Sequence, residues 1–172
     1  MLYCCAVMKM LKFKQANEKD IALIEYLYST RLQQLHDKGI EQWSEEEITW
    51  PQLSKIYDVS HFYIVYKNEE ACGAFVMADY DPLYWRDDKP KDALYIHKVM
   101  VLESVSGTGV SDAILAYFKE EAKRRGYPVA KLDVREYKTK LRSFYERNGF
   151  KLYKIVDLGK GYPICLYHCP LL

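Results

Sequence analysis

Val99-Met-Val-Leu-Glu-Ser-Val-Ser-Gly-Thr-Gly-Val110, followed 35 residues later by Tyr145-Glu-Arg-Asn-Gly-Phe150, is the stretch whose reading decides the fold. The first segment reads as a buried strand that passes through a Gly-x-Gly turn into a helix. Such a turn can point bare backbone N–H groups at a phosphate, with the helix N-terminus behind them. The glycines taken alone are equally a tight turn between strand and helix. The second segment reads as a helix end carrying Tyr145, closed by Asn148-Gly149, with a new strand from Phe150. Together they describe a site for a phosphate-bearing cofactor beside a phenol that can donate or accept a proton.

Working outward, Leu11 to Gln15 alternates apolar and polar residues, the period of a strand. Asn17 with Asp20 three residues on forms a capping box. It opens a helix with Ile21, Ile24, Leu27/Tyr28, Leu32 and Leu35 on its apolar face and Lys38-Gly39 as its stop. Trp43 to Asp58 reads as a second, shorter helical stretch with Pro51 at a kink or boundary. His61–Tyr66 and Cys72–Ala78 are strands of a hairpin joined by Lys67-Asn-Glu-Glu70. Tyr80 to Asp92 is a loop, and Ala93 to Val101 is a strand. A helix spans Val110–Arg125, with Ile114, Leu115, Phe118 and Ala122 inward and Gly126 beyond its end. Val129–Val134 is a strand, Lys138–Asn148 a helix, and Phe150–Val156 and Tyr162–His168 are the last strands. An antiparallel front half followed by a late βα unit predicts a mixed sheet in an α/β chain.

At 172 residues the chain is expected to be one domain, 1–172, with enough length for a real core. Its 49% hydrophobic and 28% charged residues are those of a globular chain, and a net charge of +1 favours neither nucleic acid nor an anionic membrane. Lys123-Arg124-Arg125 complements a helix dipole; the alternative is a phosphate patch. The five cysteines, Cys4, Cys5, Cys72, Cys165 and Cys169, contain no CxxC, and Cys165-x3-Cys169 with His168 lacks a second ligand pair, so no metal site is expected. Reduced thiols point to the cytoplasm. No apolar run reaches the ~18 residues of a membrane span. Met1–Met8 lacks the charged leader of a signal peptide; Met8 and Met10 are alternative starts, which would make the first residues dispensable.

A dinucleotide-binding turn would need a third glycine where Asp112 stands, and too little chain follows for a doubly wound sheet, although Asp133 could imitate the ribose-binding acid. The GxxxxGK[ST] pattern of a P-loop is absent. The order strand, Gly-x-Gly turn, long helix, strand, helix ending in Phe144-Tyr-Glu-Arg-Asn-Gly-Phe150 resembles the GNAT superfamily of acetyl-CoA-dependent N-acetyltransferases. That family's Arg/Gln-x-x-Gly-x-Gly/Ala signature falls on Ser104-Val-Ser-Gly107-Thr-Gly109, matched at both glycines and not at Ser104. Its Phe-Tyr-Glu-Lys-x-Gly-Phe motif matches Phe144 to Phe150 almost residue for residue. Lys138 stands where the family often has Asn.

The resemblance implies a mostly antiparallel mixed sheet of about seven strands flanked by about four helices, with a V-shaped split between strands 4 and 5. It implies that coenzyme A pairs its pantetheine amides with backbone groups around Val99, Met100 and Val101. The pyrophosphate would sit on Ser106, Gly107, Thr108, Gly109, Val110 and Ser111, and Lys138 and Tyr145 would complete the cofactor contacts. A side chain at 107 or 109 would hold the anion off the backbone. Tyr145 is the family-matched acid for the departing thiolate; its spacing from Leu141 also fits plain core. The base is open: His97 shares a strand face with Ala93 and Tyr95 and titrates near neutrality when unperturbed, or it is a hydrogen-bonded structural histidine. The family forms its acceptor side from the helix 1–2 region and the loops after strands 3 and 6. Here these carry Trp43, Glu45, Glu46, Glu47 and Trp50, then Asp79, Tyr80, Asp81, Tyr84 and Trp85. Acids with aromatics suit a cationic amine, or are solvated charges with anchoring rings. Trp43, Tyr80 and Trp85 are the expected acceptor contacts.

The expected function is transfer of acetyl from acetyl-CoA to a primary amine of a small molecule or peptide, by a monomer or homodimer and without a metal. A non-catalytic acyl-CoA-binding or regulatory module is the alternative.

Overall fold

The structure, a computed structural model, describes residues 10–159 and 161–171; Met1–Met8, with Cys4 and Cys5, lie outside them. The strands are β1 (Leu11–Gln15), β2 (Phe62–Lys67), β3 (Glu70–Ala78), β4 (Leu94–Val101), β5 (Val129–Arg135), β6 (Lys151–Val156) and β7 (Ile164–Pro170). The α-helices are α1 (Ile21–His36), α2 (Trp50–Leu53), α3 (Val110–Arg124) and α4 (Thr139–Arg147). The seven strands form one mixed sheet in the order β1-β2-β3-β4-β5-β7-β6. The β1–β2, β2–β3, β5–β7 and β6–β7 pairs are antiparallel, and β4–β5 is parallel. By its internal contacts the chain divides into two compact units whose limits fall inside β3, β4 and α3. One runs through Val76 and resumes over Lys98–Ile114; the other is Met77–His97 with Leu115–Leu172.

In the first unit the Asn17 side chain accepts from Lys19 N–H, and Asp20 accepts from the Asn17 N–H. This capping box starts a short 3-10 turn that feeds α1, rather than the α-helix itself. Ile24, Leu27, Tyr28, Leu32 and Leu35 of α1 are buried, as the period of 3.6 requires. The β2–β3 hairpin turns on Asn68 and Glu69, both at positive φ (51° and 66°), the geometry that matches strand twist. Phe75 stacks on Tyr63 at 5.4 Å and meets Phe13 edge-on.

The expected helix over Trp43–Asp58 is a correction. A 3-10 turn (Glu46–Ile48) and the single turn of α2 are separated by an extended Thr49. Pro51 lies in the first turn of α2, where its missing N–H leaves no bond unmade, and it produces no kink.

Gly73 lies where β3 meets β4. A Cβ there would stand 2.8 Å from Met100 O and 3.3 Å from Val101 Cγ1. Met100 and Val101 are both buried, so relief requires moving backbone. Gly73→Ala is expected to destabilise the protein by about 1–3 kcal/mol, read as a lower urea midpoint at unchanged slope.

In the second unit β5 buries Ala130, Leu132 and Val134 on one face and carries the less deeply buried Lys131 and Asp133 on the other. Phe118 and Ala122 of α3, Phe150 and Tyr167 are fully or almost fully buried. The Tyr167 hydroxyl accepts from Arg142 Nε (3.1 Å) and donates to Glu146 (2.7 Å), fixing α4 to β7.

Candidate active site

The glycine turn belongs to the first unit. A 3-10 turn over Glu103–Val105 separates β4 from it and is tied to α1 by Gln34, which accepts from Glu103 N–H, and by the Lys38–Glu103 ion pair. Gly107 and Gly109 have φ of 76° and 86°, a region that L side chains enter only with strain. Ser106 N–H donates to Glu103 O and Thr108 N–H to Val105 O. The N–H groups of Gly107, Gly109, Val110 and Ser111 take no part in these turn bonds. The Ser106 and Thr108 N–H groups are therefore engaged inside the turn. A Cβ on Gly107 would meet nothing within 4 Å; it would fill open space in front of the loop. Donors at the positive end of a 15-residue helix suit a pyrophosphate.

Upstream, Lys98 takes a φ of 52° in the middle of β4, a strained value for a non-glycine residue. The Tyr28 hydroxyl donates to Lys98 O at 2.6 Å. Val99 is half-buried, while Met100 and Val101 are buried. Trp43 packs edge-on against Tyr28 at 5.8 Å, with the Lys98 ammonium 5.7 Å from its ring centre.

In the second unit the Tyr145–Phe150 motif is a helix stop whose physics is fully local. Gly149, at φ 88°, donates to Glu146 O, and Phe150 N–H donates to Tyr145 O. This is the paired-bond C-cap that an αL glycine permits, and the Tyr145 and Phe150 rings supply its apolar contact at 6.1 Å. Lys119 of α3 adds a bond to Asn148 O at 2.8 Å. Tyr145 is 7% exposed. Burial, with the nearby Asp133 charge, pushes its phenol well above the ordinary range, so it stays protonated near neutral pH. Lys138 is the N-cap residue of α4, with its ammonium 5.3 Å from the Tyr137 ring centre.

The parallel register sets Leu94 against Ala130 and Tyr95 against Lys131. Two residues on, the same faces bring His97 beside Asp133: His97 Nδ1 lies 3.3 Å from Asp133 Oδ1. Asp81, from the loop after β3, completes a cluster in which one ligand atom of each residue lies within 4.8 Å of the others. Asp81 is buried; its Oδ1 accepts from Leu83 N–H (2.8 Å) and Tyr84 N–H (2.9 Å). Burial raises its carboxyl pKa, while the charge of His97 pulls it down. The sequence named His97, Asp81 and Asp133 separately and missed that they meet. The available signal was the shared period of two at 95/97 and 131/133.

A cleft of about 480 Å³ in this unit is lined by Asp79, Tyr80, Asp81, Trp85, Arg86 and Asp88, among others. Tyr80 is 38% exposed. Trp85 is 6% exposed and belongs to a core cluster with Ala93, Tyr95, Ile164 and Leu166. It stacks on Tyr153 at 5.5 Å, and the chain's own Lys131 ammonium lies 4.1 Å from its ring centre. Asp88 takes both the Tyr95 hydroxyl and the Lys131 ammonium.

The model of the acetyltransferase (GNAT) family matches residues 22–150, and the chain belongs to that family. It is 25% identical over 131 residues to the uncharacterized N-acetyltransferase YesJ of Bacillus subtilis (strain 168), covering 68% of each chain. A GNAT-family acetyltransferase from Listeria monocytogenes superposes with a TM-score of 0.73 at 20% identity, covering 94% of this chain and 95% of that one. The protein yncA from Salmonella typhimurium, solved with its cofactor acetyl-CoA, superposes with a TM-score of 0.68 at 16% identity and 94% coverage of both chains.

Proposed function

We propose that this protein is an acetyl-CoA-dependent N-acetyltransferase that acts on a primary amine of a small molecule or peptide by direct attack on the thioester. The observation that carries the reading is the Gly107-Thr-Gly109 turn, whose positive φ values and N–H groups fit a pyrophosphate, in a chain of the GNAT family. Gly107, Gly109, Val110 and Ser111 hold the pyrophosphate through backbone N–H groups. Ser106 and Thr108 shape the turn, Lys138 adds a positive side chain, and the backbone at Val99, Met100 and Val101 offers strand-like partners to the pantetheine. Acetyl-CoA brings an activated acyl carbon; the protein moves the protons. Tyr145, held protonated by burial, gives its proton to the departing sulfur. His97 takes the proton from the acceptor ammonium.

Tyr80 is the exposed acceptor-side aromatic, Trp85 forms a wall of the cleft, and Trp43 is a further acceptor contact. Cys72, Cys165 and Cys169 are free thiols, in keeping with a reducing cytoplasm. No described helix is long and apolar enough to cross a membrane.

The test is thiol release from acetyl-CoA against polyamines, aminoglycosides, amino acids and peptides. Acceptor-dependent release supports the reading. Acetyl-CoA binding without release by any amine supports the non-catalytic module, which Ser104, in place of the family's Arg/Gln, favours. His97→Gln is expected to lower turnover strongly near neutral pH and much less at alkaline pH, where the free amine is abundant; a parallel pH–rate profile would remove His97 from the mechanism.

A further inference from the structure

We infer that Asp81, acting through His97, is a positioning residue of a proton-accepting cluster, Asp81–His97–Asp133. The inference rests on the acetyltransferase reading above and extends it to a residue on the loop after β3.

The geometry has three parts. Asp81 is 6% exposed, and its Oδ1 is fixed by the Leu83 and Tyr84 N–H groups, so the carboxylate is rigid. Its Oδ2 is buried with no hydrogen-bond partner among the described residues. A buried carboxylate oxygen left in that state opposes folding. Finally, the parallel register brings His97 and Asp133 to 3.3 Å, and Asp81 closes the group to within 4.8 Å. The charged and titratable groups that act on this cluster include Tyr84 from the loop, which feels Asp133 and Asp81, Tyr145 from α4, which feels Asp133, and Tyr95 of β4, which feels Asp81 and stacks on His97 with ring centres 6.3 Å apart. The cations closest by sequence face are engaged elsewhere: Lys131 pairs with Asp88, and Arg135 lies over the Tyr162 ring.

An imidazole between two carboxylates is well placed to become imidazolium for one step. The acceptor ammonium gives a proton to His97, and its freed lone pair forms the C–N bond. The C–S bond breaks, and the sulfur takes the phenolic proton of Tyr145. The second proton of the new amide nitrogen returns to the Tyr145 oxygen, and His97 releases its proton to water, so one proton leaves per acetyl transferred. In this role Asp81 acts on His97, and its charge and fixed geometry favour the protonated imidazole.

The test uses Asp81→Asn, which keeps an oxygen for the Leu83 and Tyr84 N–H groups. Because burial raises the Asp81 carboxyl pKa, the ionised group opposes folding once pH exceeds its titration. The variant is therefore expected to melt at or above the wild-type temperature at neutral pH, with the gain shrinking as pH falls through that titration. Acetyl-CoA affinity is expected to be unchanged by calorimetry. Turnover should fall roughly tenfold near neutral pH and recover at alkaline pH. Unchanged turnover and pH profile, or a loss of melting temperature and acetyl-CoA affinity together with activity, would overturn the inference. A second readout is independent of turnover: the carboxyl ¹³C titration of Asp81 should move to higher pH in His97→Gln, since the His97 charge holds it down. If that shift is present while the wild type acetylates nothing, the cluster stands and the acetyltransferase reading fails. If the wild type is active and the shift is absent, the inference fails alone.

Discussion

Tyr145→Phe is expected to lower kcat by about 10²-fold or more, with the acetyl-CoA dissociation constant and the melting temperature nearly unchanged. The structure sharpens this prediction because it separates two jobs of one side chain. The ring closes the C-cap of α4 against Phe150, and the backbone carbonyl accepts the Phe150 N–H. Phe preserves both. Only the hydroxyl is lost, and burial keeps that hydroxyl protonated throughout the working pH range. No pH dependence of folding arises from it near neutrality, since ionised tyrosine is absent from folded and unfolded chains alike. Full activity in the variant would reduce Tyr145 to a capping residue.

Gly109→Val is expected to abolish the rise in melting temperature that acetyl-CoA or CoA gives to the wild type. Gly109 has a φ of 86° at the entrance to α3. A β-branched residue there carries about 1–3 kcal/mol of backbone strain, and the turn relaxes by rotating its N–H groups away from the phosphate. The variant should therefore begin from a lower melting temperature and gain nothing from the cofactor. NAD and ATP should stabilise neither protein. A wild type stabilised by NAD and indifferent to CoA would show that the turn serves a different phosphate ligand.

What was legible in the sequence was local. The Asn17–Asp20 capping box, the glycine after α1, the alternation of β1 and the Tyr145–Phe150 stop each depend on residues within one or two turns of one another. Trp43–Asp58 was read as one helical stretch, while the extended Thr49 divides it into short turns. The position of Trp85 was illegible because it depends on Tyr153 and Lys131, which are distant in sequence. The turn was visible in its glycines, but the internal bonds of Ser106 and Thr108 were not. The Asp81–His97–Asp133 cluster was hidden for a related reason. Its members were each visible, but only the β4–β5 register and the fold of the loop after β3 bring them together.

The most direct test of the account is to incubate the wild-type chain with carbon-13-labelled acetyl-CoA and a panel of primary amines, and to weigh both products. The account predicts an amine carrying the labelled acetyl group and an equal amount of free CoA thiol, with the protein itself unlabelled at the end. Tight acetyl-CoA binding with no labelled amine from any acceptor class would contradict it.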